Sequence, residues 1–296
     1  MRVRGPIGVA LALLTMAVVA VVLRSGSGVA LPGSVRSAQD AVTDAVTNAA
    51  PTRMATSAAA GAVPRAPATR GPYRVLALGD SVPAGSVCTC RPFPQIYGSL
   101  LRRRRATSVA VDNLAVGGLD TAGLIRQLGR ARYADSVRRS NVIVVTIGAN
   151  DFGDHHRQVV DGRCGGGDTD CVADEVHALR AHLITVLTRI RALRGSGRTT
   201  VLVTGYWNVF QDGDVAVQQV GQTGLTASRR LTARANAVIQ SVSRAEGTTY
   251  VDLFKAFDRA GRSLTSLLAS DGDHPNADGH RLIAHALLDA GLPAAT

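Results

Sequence analysis

The chain has 296 residues, of which 46% are hydrophobic and 19% charged, and its net charge is +11. That balance excludes a globally disordered chain and leaves room for one large domain or two small ones around a sizeable core. The excess charge, mostly arginine, predicts attraction to anionic surfaces. The 4% aromatic content, with no helix-turn-helix, finger or RNA-binding motif, argues against nucleic acid as a partner.

Arg2 and Arg4 precede an apolar run from Ile7 to Leu23, of roughly 17 residues, the lower bound for a membrane-spanning helix. Residues 1–30 therefore read as a cleaved signal peptide or as a retained N-terminal membrane anchor. In both cases the positive end stays in the cytoplasm and the rest is exported, giving an extracellular or envelope location. Residues 31–72 are rich in Ala, Ser, Thr and Pro (for example TSAAAGAVPRAPATRGP). Such a segment buries too little surface to offset its chain entropy, and reads as a disordered linker.

From Tyr73 the pattern changes. YRVLAL (73–78) predicts a strand, and Pro94 to Arg104 a helix. SVAVDNLAV (108–116) contains a strand, and Leu124 to Arg139 predicts one helix. NVIVVTIG (141–148) is a continuous apolar run, as expected of a central parallel strand covered on both faces. Val176, Leu179, Leu183, Val186, Ile190 and Leu193 recur at helical spacing. TTVLVTGY (199–206) is a strand, Leu231 to Val242 marks a helix, TYVDLF (249–254) is a fifth strand, and residues 274–292 close with a helix. Strands alternating with helices predict an α/β fold: a parallel sheet of about five strands between two helical layers, over residues 73–296. Ligands in such sheets bind beyond the carboxyl ends of the strands.

The residues at those ends carry the chemistry. Gly79-Asp80-Ser81 follows the first strand, Asn113-Leu-Ala-Val-Gly-Gly118 the second, and Gly148-Ala-Asn150-Asp151 the third. Asp271-Gly-Asp-His274-Pro275 precedes the last helix. A serine hydroxyl attacks poorly unless a base takes its proton. His274 is the candidate base. Asp271, three residues earlier, is placed to orient its ring. Each piece has an ordinary structural reading: Ser81 as a helix cap, Asp271 and His274 as a helix start, Asn150 as a turn residue. Together they favour catalysis.

These four blocks, in this order, resemble the SGNH hydrolases, also called the GDSL-type esterases and lipases. Val82 stands where the namesake pattern has Leu. The resemblance runs from Tyr73 to Leu292 and implies a flavodoxin-like three-layer fold. It also implies a serine esterase or lipase working through an acyl-enzyme, without cofactor or metal. It maps the oxyanion donors onto the Ser81 N–H, the Gly118 N–H and the Asn150 side chain. Expected substrates are lipid, sugar or small-molecule esters of short or medium acyl chain. The alternatives are a deacetylase of an envelope polysaccharide and a non-catalytic binding module on the same scaffold. A monomer is expected, held to the membrane or envelope only through its N-terminus.

Four cysteines in an exported chain point to two disulfides among Cys88, Cys90, Cys164 and Cys171. Cys164 and Cys171 flank GGGDTD, which favours local closure. Cys88 with Cys90 would close a small, strained ring, and cross-pairing would tie together two loops at the active edge. In GYWNVFQDGD (205–214), Tyr206, Trp207 and Phe210 are candidate walls of a substrate cleft, or a plug that holds the loop down. Asp80 and Asp151 are expected to brace loops. DFGDHH (151–156) groups two acids and two histidines, in a spacing that matches no metal pattern.

Overall fold

A computed structural model describes residues 71–164 and 170–291. All of these belong to a compact unit spanning Arg65–Thr296. The expected signal or anchor (1–30), and the linker except Gly71 and Pro72, lie outside the described residues. Among the described residues no helix is long and apolar enough to cross a membrane.

The chain runs β1 (Tyr73–Gly79), α1 (Ser81–Ala84), α2 (Phe93–Arg105), β2 (Val109–Asn113), α3 (Thr121–Leu128) and α4 (Ala131–Arg139). It continues through β3 (Val142–Thr146), α5 (His155–Val160), α6 (Ala173–Arg194) and β4 (Thr200–Thr204). It ends with α7 (Gly213–Ala245), β5 (Thr249–Val251), α8 (Leu253–Asp258) and α9 (Ala277–Asp289). The five strands form one parallel sheet in the order β2-β1-β3-β4-β5. The chain order reverses between β1 and β3, and a crevice opens beyond strand ends at such a reversal.

The sheet's centre is its most apolar part. Every residue of β3 is buried, as are Val75, Leu76, Ala77 and Leu78 of β1. Each large side chain so covered contributes about 1.5–3 kcal/mol relative to its exposed state. Gly79 is required where β1 meets β3, because a Cβ there would lie 1.8 Å from the Thr146 carbonyl oxygen. α2 and α9 pack on each other. The first of them carries four arginines in its last turn, where they complement the helix dipole.

Two helix expectations change. The helix expected over 124–139 is two, α3 and α4, divided at Gly129 and Arg130. Its apolar positions pass across the break, because both helices cover the same layer. α7 is longer than its apolar pattern, beginning at Gly213 and kinked at Gly221, which adopts φ 64°. The fifth strand stops at Val251, where Asp252 caps α8.

Candidate active site

Asp80, not Ser81, caps α1. Its Oδ1 accepts the Val82 N–H at 3.0 Å, which leaves Ser81 at the first helical position with its side chain free. The Ser81 Oγ lies 2.8 Å from His274 Nε2. The other ring nitrogen, Nδ1, lies 2.7 Å from Asp271 Oδ2. Because a carboxylate only accepts, Nδ1 carries the proton and Nε2 is the acceptor for the serine hydroxyl. The Asp271 Oδ1 also accepts the backbone N–H groups of Asp273 and His274, each at 3.1 Å. Burial pushes the Asp271 carboxyl up, but hydrogen bonds from the His274 backbone and ring and from the Asp273 N–H outweigh it, so the net shift is downward.

The expected oxyanion residues converge on the same edge. Gly118 follows β2 with φ 74° and open space around its α-carbon, a conformation that suits glycine. Asn150 sits in a 3-10 turn after β3, and its Nδ2 donates to the Leu119 carbonyl at 2.9 Å. One N–H of that amide is thereby used and the other is left over. The Gly118 and Asn150 loops are also tied by Asp151. Its Oδ2 accepts the Thr121 N–H at 3.0 Å and its Oδ1 accepts the Thr121 hydroxyl. The same hydroxyl lies 3.1 Å from Nδ1 of His182 on α6. Asn113 at the end of β2 donates to the Pro83 carbonyl at 2.6 Å, which holds α1 against the Gly118 loop. Asp80 and Asp151 therefore brace loops, as expected. The bonds made by Thr121, His182 and Asn113 had no signal in local sequence, since their partners lie 30 to 61 residues away.

The cleft, about 120 Å³, is lined by Ser81, Val82, Asn150, Gly153, His156, Val209, Phe210, Asp273 and His274, among others. Phe210 is thus a cleft wall, stacked on His156 with ring centroids 5.6 Å apart. Tyr206 and Trp207 are corrections: both are buried inside the fold and neither lines the cleft. The Tyr206 hydroxyl donates to Asp80 Oδ2. Trp207 stacks on Phe257 at 4.7 Å and donates from Nε1 to the Asp273 carbonyl at 3.2 Å. Both plug the floor beneath the site, because each polar tip finds an acceptor there, buried Asp80 for Tyr206 and the half-buried Asp273 for Trp207. DFGDHH is split as well, His155 pairing with Glu175 and His156 donating from Nδ1 to the Gly153 carbonyl.

Burial pushes Asp80 up to about 6, against the bonds from Tyr206 and Val82. Burial likewise pushes Asp273 up to about 7, opposed by His274 and reinforced by Asp271 and Asp80. The structure brings Cys88 together with Cys90 (Cα–Cα 5.1 Å) and Cys164 with Cys171 (6.1 Å). It therefore favours two local pairs over cross-pairing.

The fold recurs in known proteins. A lipase from a goat rumen metagenome superposes with a TM-score of 0.62 at 19% identity, covering 74% of this chain and 97% of that one. An acetylxylan esterase from Geobacillus stearothermophilus gives 0.53 at 18% identity, covering 75% and 95%. An extracellular lipase from Streptomyces rimosus gives 0.53 at 20%, covering 74% and 100%. No curated protein matches the chain. The profile of the GDSL-like Lipase/Acylhydrolase family matches residues 77–282, more than two thirds of the sequence, so this chain belongs to that family and is a carboxylic ester hydrolase.

Proposed function

We propose that the chain is an exported serine esterase, held to or released from the cell envelope through its N-terminus. It acts on esters of short or medium acyl chains. The observation that carries the mechanism is the continuous line Ser81 Oγ, His274 Nε2, His274 Nδ1, Asp271 Oδ2, with links of 2.8 and 2.7 Å. In this reading His274 takes the Ser81 proton as Oγ attacks the ester carbonyl, and Asp271 holds the ring and stabilises the imidazolium. The Ser81 and Gly118 N–H groups and the Asn150 amide donate to the developing oxyanion. His274 then gives its proton to the leaving alcohol. A water activated by His274 cleaves the acyl-Ser81 ester and releases the acid.

The cleft volume of about 120 Å³ supports a small acyl group, since it lies below the roughly 300–1,000 Å³ of pockets that take drug-sized ligands. It also favours the second reading, removal of acetyl groups from an envelope polysaccharide. The experiment compares the wild type with Ser81→Ala on acetyl, butyryl, octanoyl and palmitoyl aryl esters. Turnover confined to the wild type and greatest for the short chains is expected. Equal turnover by Ser81→Ala would overturn the serine mechanism, and a palmitoyl optimum would overturn the short-acyl reading.

A further inference from the structure

A buried imidazole with one idle nitrogen lies beside two cysteines. His280, on α9, is fully buried, and its Nδ1 accepts the Phe93 N–H at 3.3 Å. Burial lowers its pKa to about 4, so the ring is neutral near pH 7. A neutral ring that accepts at Nδ1 carries its proton on Nε2. Nε2 is buried and has no hydrogen-bond partner, which native proteins rarely leave so. A ring nitrogen of His280 and the sulfurs of Cys88 and Cys90 all lie within 4.8 Å of one another. The Phe93 bond leaves the ring a donor rather than a ligand lone pair. The species it suits is an anion, and the anion that two neighbouring cysteines can supply is a thiolate.

The segment that holds the pair is built to open. A bond between residues two apart closes a small ring, and strained or exposed disulfides are the labile ones. Val87, just before it, is a β-branched residue held at φ 67° and largely exposed, a costly conformation for that side chain. Thr89 and Arg91 are exposed, and Cys88 and Cys90 half-buried, so a small thiol has access. Cys164 and Cys171 lie seven apart in sequence and serve as an internal comparison.

We propose that Cys88 and Cys90 form a thiol-exchange site, a disulfide opened by dithiols, in which the Nε2–H of His280 holds the thiolate that forms. The thiolate of an incoming dithiol attacks one sulfur and the S–S bond breaks. The other cysteine leaves as the thiolate beside His280. The second thiol of the dithiol then displaces the first cysteine. The dithiol is oxidised by two electrons to its own disulfide, and the cysteine pair is reduced by two. Of the two protons the dithiol loses, one ends on a cysteine and one passes to solvent while the thiolate persists. None of this depends on the ester-hydrolysing reading of Ser81.

The test uses the full chain in dithiothreitol redox buffers of graded poise, quenched with iodoacetamide and read peptide by peptide by mass spectrometry. Cys88 and Cys90 are expected to become alkylated at a poise that leaves Cys164 and Cys171 protected. Once reduced, the pair should react at pH 7 about 10-fold more slowly in His280→Phe, the equivalent of one unit in thiol pKa. His280→Gln, which still offers an N–H, should restore most of that rate. A variant-free arm covers the case in which these substitutions prevent folding: the reduced native pair should alkylate faster than the same cysteines in the urea-unfolded chain. Opening of both pairs at one poise, alkylation without any reductant, or a native rate no faster than the unfolded one would each overturn the proposal.

Discussion

The bond between Asp151 and Thr121 makes the most specific demand on the site. Replacing Asp151 with alanine removes two acceptors from Thr121, which is fully buried. Hydrogen bonds to a charged group are worth about 1.5–3 kcal/mol each, so stability should fall by about 3–6 kcal/mol. The catalytic effect follows from what the clamp joins. Thr121 begins α3 directly after the Gly118 loop, and Asp151 follows Asn150. Cutting the clamp frees two of the three proposed oxyanion donors to drift without removing either. Loss of one such donor outright costs about 10²–10³ in kcat, so the variant should lose about 10- to 100-fold in kcat with KM little changed. Asp151→Asn keeps one acceptor and should fall between wild type and alanine on both counts. Urea unfolding followed at equilibrium, with steady-state kinetics on an acetyl aryl ester, reads both quantities. A stability loss below about 0.5 kcal/mol, typical of an uninvolved surface position, would refute the clamp. A full stability loss with unchanged kcat would refute its link to the oxyanion hole.

Asp271→Asn should leave the fold intact and lower kcat by about 10⁴, because an amide no longer selects the Nδ1–H tautomer of His274; a loss under tenfold would remove Asp271 from the relay. Asp80 has a folded pKa of about 6 against an ordinary 3.8, so its ionisation favours the unfolded chain. That cost is absent below about pH 4, grows as pH rises, and is complete above 6, at about 3 kcal/mol for two units. Urea melts of wild type and Asp80→Asn from pH 4 to 7 should therefore show the wild type losing ground to the variant as pH rises, and a flat or opposite trend would contradict the buried-acid account. Trp207→Ala should cost about 3–5 kcal/mol as a core cavity, with kcat falling only as far as the Asp273 loop is loosened; a sharp rise in KM at unchanged stability would restore it as a cleft wall.

The central sheet was legible because its signal is local. Within NVIVVTIG the four residues Val142 to Val145 are apolar on both faces of the strand, as a strand covered on both sides requires. Ser81 and Asn150 were legible because each follows the end of such a run, where the topology of a parallel sheet collects residues from distant parts of the chain, and Asp271 and His274 because they stand together three residues apart just before the last helix. What was not legible depends on partners far away in sequence. Tyr206 and Trp207 read equally as a wall or as a plug. The matter is decided by Asp80, 126 residues distant, and by the Asp273 carbonyl, 66 residues distant. The break at Gly129 was hidden for another reason. Leu124 and Leu128 before it and Tyr133 and Val137 after it pack into one layer, so the hydrophobic pattern carries no mark where the backbone turns.

Ser81 and His274, joined by the 2.8 Å hydrogen bond, lie 193 positions apart, one after the first strand and the other just before the last helix. Between them the whole sheet must be laid down in an order unlike that of the chain, and α9 must dock on α2. Non-local closure of this kind is the slow part of folding. On the proposed mechanism a nascent or partly folded chain is catalytically inert even when most of its sheet has formed, because the base is missing until the C-terminal segment arrives. Hydrolysis serves as an internal clock for completed folding: ester turnover during refolding should rise with the slowest phase and not with the burial of Trp207. The cell that makes this enzyme is spared its activity until the chain is whole.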